Sequence, residues 1–325
     1  MDTYKALNIP FGNAICYSGF RDGQNPAGIH PSYDEIKEDL MLLKNNWKYL
    51  RLYDCDLHSQ RVLQVIRDEG LDLKVMLGAF IVAEVNNHIC PWGGGVYSDE
   101  QLAENKAKNE SNINRLIEWA NEYHDIVTAV SVGNEACVDW TDHMVPVERV
   151  IKYVKEFKKA SSVPVTFCEN YVPWSGKLKT LADVLDFISV HTYPVWEYKH
   201  IMEALDYTKD NYYAVAKLYP DKPVIITEAG WATNSNGRGI KPEYVNEKNQ
   251  KLYYQQLMNW VTSEKILTYV FEAFDEKWKG STDLLEPEKH WGLFYADRTP
   301  KLVMKELYGG HEDKEESAKL FVANN

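Results

Sequence analysis

Positive charge is in short supply: 36 Lys and Arg stand against 48 Asp and Glu, leaving a net charge of −12 at pH 7. Nucleic-acid binding needs clustered Lys and Arg to displace counterions from phosphate, so no nucleic-acid partner is expected and a neutral ligand fits better. Long hydrophobic runs are missing too. No segment approaches the roughly 18 consecutive apolar residues of a membrane span, so membrane insertion is not expected. The start, Met1-Asp-Thr-Tyr-Lys5, lacks the charged and apolar regions of a signal peptide, although a chain whose leader had been removed would begin the same way. Cysteine is scarce. Cys16, Cys55, Cys90, Cys137 and Cys168 are odd in number and show no C-x-x-C spacing, which indicates neither a disulfide scaffold nor a zinc finger. What the chain does have is aromatic residues, at 13%, with 10 Trp and 21 Tyr, enough for an aromatic interior or groove.

Eight short apolar runs read as buried parallel strands: 13–17, 49–53, 73–80, 127–132, 163–168, 187–191, 223–227 and 267–274. Helical patterns lie between them. Val147, Val150, Ile151, Val154 and Phe157 recur at steps of three and four, with lysines largely opposite. Ser32-Tyr-Asp-Glu35 is a capping-box pattern opening a run with Tyr33, Ile36, Leu40 and Leu43 on one side. Strand–helix alternation with no second compositional block predicts one α/β domain, a (β/α)₈ TIM barrel over residues 1–310, followed by a charged C-terminal tail over 311–325. The main insertion, 81–100, contains Pro91-Trp-Gly-Gly-Gly95 and is expected to form a mobile lip.

In such a barrel, function gathers where strands end on the C-terminal face. The fourth run leads into Gly133-Asn-Glu135 and the seventh into Thr227-Glu-Ala-Gly-Trp231. Glu228 is conspicuous, because an ionised carboxylate beside a core strand loses hydration and needs compensation. Strands four and seven are placed so that Glu135 and Glu228 can straddle a bond. Retaining glycoside cleavage needs two carboxyl groups roughly 5–5.5 Å apart, one attacking the anomeric carbon and the other donating and then accepting a proton. The bland alternative for either glutamate is an ion pair at the barrel rim. A metal is not expected, since no His lies at ligand spacing beside either residue and His88-Ile-Cys90 is isolated. Cys137 has no nearby His and reads as a packing thiol, and His191 reads as a hydrogen-bonded structural histidine.

Arg51-Leu-Tyr-Asp54, Thr227-Glu-Ala-Gly-Trp231, Phe274-Asp-Glu-Lys-Trp-Lys279 and Glu288-Lys-His-Trp-Gly-Leu-Phe294, together with the two glutamates, resemble glycoside hydrolase family 17. That resemblance, which runs from Phe11 to about Leu307, implies a β-1,3-glucanase acting, in endo fashion, on a glucan such as laminarin, with Glu135 as acid/base and Glu228 as nucleophile. It further implies a supporting network of Glu276, Lys279 and Glu288, with Lys279 favouring ionisation of Glu228. Asn134 is expected at the sugar 2-hydroxyl and Tyr193 beside the nucleophile. Tyr53, Phe274, Trp231, Trp291 and, in the insertion, Trp92 are expected to offer sugar-facing surface. No cofactor is implied, the chain is expected to be a monomer, and a secreted, periplasmic or cell-surface location is expected. A β-1,3-glucanosyltransferase shares the same covalent intermediate and stays open as an alternative. A non-catalytic glycan-binding barrel is a further one, but it would have no use for both glutamates.

Overall fold

In the computed structural model, which describes residues 1–308, eight parallel strands close into a barrel in sequence order. They are β1 (Ala14–Cys16), β2 (Tyr49–Leu52), β3 (Lys74–Ala79), β4 (Val127–Asn134), β5 (Val165–Asn170), β6 (Ile188–His191), β7 (Val224–Ala229) and β8 (Thr268–Val270). Nearly every strand residue is buried, because the barrel interior takes one face and the helical ring the other. The charged tail expected over 311–325 lies outside the described residues. No helix among the described residues is long and apolar enough to cross a membrane.

The helices follow their sequence patterns. Val150, Val154 and Phe157 of Val147–Ala160 face the sheet, and Tyr33–Leu43 starts at a capping box in which Ser32 and Glu35 bond each other's backbone N–H. The eighth strand is shorter than its apolar run. Beyond Val270 the backbone still bonds β7 and β1, Phe271 N–H donating to Ala229 O at 2.9 Å and Ala273 N–H to Cys16 O at 3.0 Å. It also pairs with a later segment, Leu293 N–H donating to Glu272 O at 2.9 Å and Phe294 N–H to Ala273 O at 2.9 Å.

Three register shifts fall just below the strand ends: between Ser131 and Asn134 in β4, between Val190 and His191 in β6, and between Ile226 and Ala229 where β7 meets β8. Bulges bend a strand locally and re-aim its side chains. These three lie beside Glu135, His191 and Glu228.

The insertion after β3 is not a free lip. Asn87, buried, donates through Nδ2 to Asp139 O at 2.8 Å and Thr141 O at 2.7 Å, while Tyr97 OH donates to Asp142 O at 2.8 Å. These bonds tie both limbs of the loop to the segment after β4. Sequence spacing cannot show such contacts, because the partner carbonyls lie more than 40 residues away.

Candidate active site

Glu135 sits on an unusual backbone. Its φ is +46°, in the left-handed region that non-glycine residues rarely occupy, and it follows Gly133 at φ +92°. A Cβ at Gly133 would lie 2.7 Å from Ile81 Cδ1 and 2.9 Å from Phe167, so only glycine fits. The turn is held by Glu135 N–H donating to Cys168 O at 2.9 Å and by His143 Nε2–H donating to Asn134 O at 2.8 Å. Asp142 Oδ1, 2.7 Å from His143 Nδ1, fixes that imidazole.

Glu228 ends β7 at the centre of a polar cluster. Arg51 Nη1 donates to its Oε1 at 2.5 Å, Tyr53 OH to the same oxygen at 3.0 Å, and Tyr193 OH to Oε2 at 2.5 Å. His191 Nδ1 stands between the two glutamates, 2.8 Å from Glu135 Oε1 and 3.4 Å from Glu228 Oε2. One carboxylate oxygen of each glutamate and a His191 ring nitrogen lie within 4.8 Å of one another. The Glu135 side chain is 29% exposed and the Glu228 side chain 7%.

The electrostatics separate the groups. Burial alone would push the Glu228 carboxyl up, but the charges of His191 and Arg51 and the Tyr193 hydrogen bond outweigh it and bring the pKa down to about 2. Burial would push His191 down, yet Glu228, Cys168 and Glu135 raise it to about 10. Glu288, on the cavity wall, is raised to about 7, first by burial and then, against Lys279, by the charges of Glu135 and Glu228. Glu228 is thus ionised and His191 cationic at neutral pH.

Lys279 does not hold Glu228 ionised. Its Nζ lies 3.0 Å from Glu272 Oε2, is ion-paired with Glu276, and reaches neither catalytic candidate. Glu276 turns away to Ser18 and Trp278. The cations at Glu228 are instead His191, from β6, and Arg51, which points from β2 into the barrel and is 2% exposed. Glu272, two residues beyond β8 and seven before its partner Lys279, carries no sequence signal beyond its place in the acidic stretch Phe271–Glu276.

The aromatic expectations divide. Trp291 and Trp92 line a cavity of about 460 Å³ that also contains Glu135, Glu228 and Tyr193. Phe274 and Trp231 do not line it. Phe274 is 1% exposed and packs on Tyr17, Phe294 and Arg298, while Trp231, also 1% exposed, packs on Tyr253 and donates its Nε1–H to Tyr244 O at 3.1 Å. Both point outward from the strand ends into the packing layer. Tyr53, partly buried and also absent from the cavity lining, stacks one ring face on the Arg51 guanidinium at 4.3 Å and gives its hydroxyl to Glu228. Asn134 accepts from Arg51 Nη2 at 2.5 Å through Oδ1, which turns its amide N–H₂ away from the guanidinium. Cavity residues the sequence reading missed include Trp140, Asn170, Tyr171, Trp196 and Arg238. Asn170 ends β5 and Tyr171 follows it, whereas Trp140, Trp196 and Arg238 lie in loops that carry no spacing signal.

His191 also corrects the metal reading. No His lies near either glutamate in sequence, but β6 delivers one in space, completing a potential three-ligand set. A dication there would have to displace the His191 proton and sit beside Arg51, so the charge pattern suits a proton-transfer site better than a metal centre.

Residues 14–292 match the family described as "BtgE/BtgC glycoside hydrolase domain". A curated glucan 1,3-beta-glucosidase from Arthroderma benhamiae is 28% identical over 193 residues, 54% of this chain and 61% of that protein; the chain thus spans about three fifths of that relative's length. An endo-laminarinase structure from Formosa Hel1_33_131 superposes with a TM-score of 0.77 at 27% identity, covering 91% of this chain and 86% of the other. A glycoside hydrolase family 17 beta-1,3-glucanosyltransferase from Rhizomucor miehei shares the fold, with a TM-score of 0.69 at 23% identity over 89% of this chain and 95% of that one. With the family match spanning almost the whole barrel and two carboxylates meeting at its mouth, this chain belongs to the BtgE/BtgC glycoside hydrolases, a family 17-like group of (β/α)₈ barrels.

Proposed function

We propose that the chain is a retaining β-1,3-glucan hydrolase in which Glu228 attacks the anomeric carbon and Glu135 protonates the leaving oxygen, then activates the water that releases the product. The observation carrying this reading is the pair itself. Two carboxylate oxygens within 4.8 Å suit direct attack, whereas an inverting pair stands roughly 6.5–9.5 Å apart to admit water between them. Arg51, His191 and Tyr193 favour the ionised form of Glu228, as a nucleophile requires. Hydrogen bonds from Arg51, Tyr53 and Tyr193 also fix its rotamer, so little reorganisation is needed before attack. Glu135 is the more accessible of the two, which suits contact with a leaving group and then with water.

The linkage preference rests on the printed activities of the relatives and of the endo-laminarinase. A polysaccharide substrate also suits a secreted, periplasmic or cell-surface place of action. Proton NMR of laminarin hydrolysis in its first minutes tests the mechanism: the β-anomer should accumulate first, and early accumulation of the α-anomer would overturn the retaining assignment.

A further inference from the structure

Strands β3 and β7 stand on opposite sides of the closed eight-strand barrel, so loops that follow them meet only by reaching over the mouth. They do meet. Trp92, in the loop after β3, lies with its ring centroid 5.3 Å from the Arg238 guanidinium carbon, in the loop after β7. Both residues line the cavity that holds Glu135 and Glu228.

Each end of this contact is anchored. On the β3 side, Asn87 and Tyr97 bond the loop to carbonyls after β4, and the three glycines that follow Trp92 all take positive φ, turning the chain tightly at the tip. On the β7 side, Arg238 Nη1 lies 3.2 and 3.3 Å from the two carboxylate oxygens of Glu286, which is 1% exposed and accepts from Ser281 Oγ at 2.9 Å. Gly239, at φ +73°, lies so close to Trp196 that a Cβ would stand 2.4 Å from its ring. One guanidinium therefore joins three loops, after β3, β7 and β8.

We propose that the Trp92–Arg238–Glu286 contact is a strap across the cleft, and that it makes Arg238 a specificity-determining residue by admitting a β-1,3-glucan through a chain end rather than along an internal stretch, in place of the endo action that the family resemblance implies. The proposal rests on the hydrolase reading above. An internal segment of a long glucan, continuous on both sides, cannot be laid into a cleft that is bridged from above unless the bridge opens; a chain end can slide beneath it. A guanidinium stacked on an indole is held by cation–π attraction and ties the loops without covalent closure.

The test compares wild type, Arg238→Ala and Glu286→Gln on two substrates, a soluble long-chain β-1,3-glucan and laminaripentaose, with circular dichroism to verify folding. Wild type should release reducing ends from the long glucan with little loss of viscosity per bond cleaved. Arg238→Ala should increase the viscosity loss per bond several-fold and raise the ratio of polymer to pentaose turnover, and Glu286→Gln should move both in the same direction by less. Steep viscosity loss by wild type overturns the strap without help from any variant. So does an unchanged ratio in a folded Arg238→Ala protein, or an equal fall on both substrates, which marks a purely structural role. Absence of any cleavage of either substrate by wild type would be distinguishable from these, and would remove the hydrolase reading together with the strap.

Discussion

At the residue scale, two glutamates that look alike in the chain differ in their surroundings. Glu228 is buried and clamped by Arg51, Tyr53 and Tyr193, whereas Glu135 is partly open and bonded to His191. If the roles follow, Glu228→Ala lowers turnover by several orders of magnitude while oligosaccharide binding persists, because the lost interaction is made mainly in the transition state. Azide tells the two apart. With an activated aryl β-glucoside, Glu135→Ala should still form the glycosyl-enzyme and yield a β-glycosyl azide, while Glu228→Ala should admit azide on the opposite face and yield the α-anomer. Reversed anomers would exchange the roles. Glycosyl-azide products are identified by NMR.

At the element scale, the bulged end of β4 holds Glu135 in a left-handed conformation that the rest of the strand does not share. Strain of this kind persists only where surrounding contacts over-determine it. The imidazole of His143, which also packs on the Phe80 ring with centroids 4.7 Å apart, supplies one such contact by bonding Asn134 O. His143→Ala should let the turn relax and move the Glu135 carboxyl. We expect kcat to fall by roughly a hundredfold, the size of effect that a displacement of about 1 Å produces, with KM changed far less. Steady-state kinetics on laminarin checks this, and the Asn or Gln replacement at the same position should recover part of the loss if an N–H donor is what the turn needs.

For the whole molecule, the site sets a pH window for stability. Glu228 is depressed from its ordinary 4.5 to about 2, so its contribution is fully present above about 4.5 and is lost as pH falls toward 2. His191 is raised from 6.5 to about 10, so its contribution is fully present below about 6.5 and is lost as pH rises through 10. These two groups together favour greatest stability between about 4.5 and 6.5. The urea midpoint, followed at constant ionic strength, should decline between pH 7 and 10. In His191→Gln that alkaline slope should flatten, because the group whose proton is lost on unfolding is gone. An unaltered slope in the variant would remove His191 as its source.

The sequence by itself determined the barrel, because eight β-rich apolar runs alternating with amphipathic helices leave few other ways to bury both faces of a parallel sheet. It also marked Glu135 and Glu228, since a carboxylate at the end of a buried strand has a cost that local structure does not explain. Contacts between distant segments were decided only by the tertiary structure. Arg51 is 177 positions from Glu228 and His191 is 56 from Glu135, so no spacing shows that these side chains, and not Lys279, hold the charge at the pair. The orientation of aromatics was hidden for a related reason. Phe274 and Trp231 follow strand ends just as Trp291 follows its own turn, yet whether a ring enters the cavity or the packing layer depends on where the chain bends as it leaves the barrel. Where β8 ends, the backbone turns to pair with residues 293 and 294, and that turn places Phe271 on the cavity wall and Phe274 in the core.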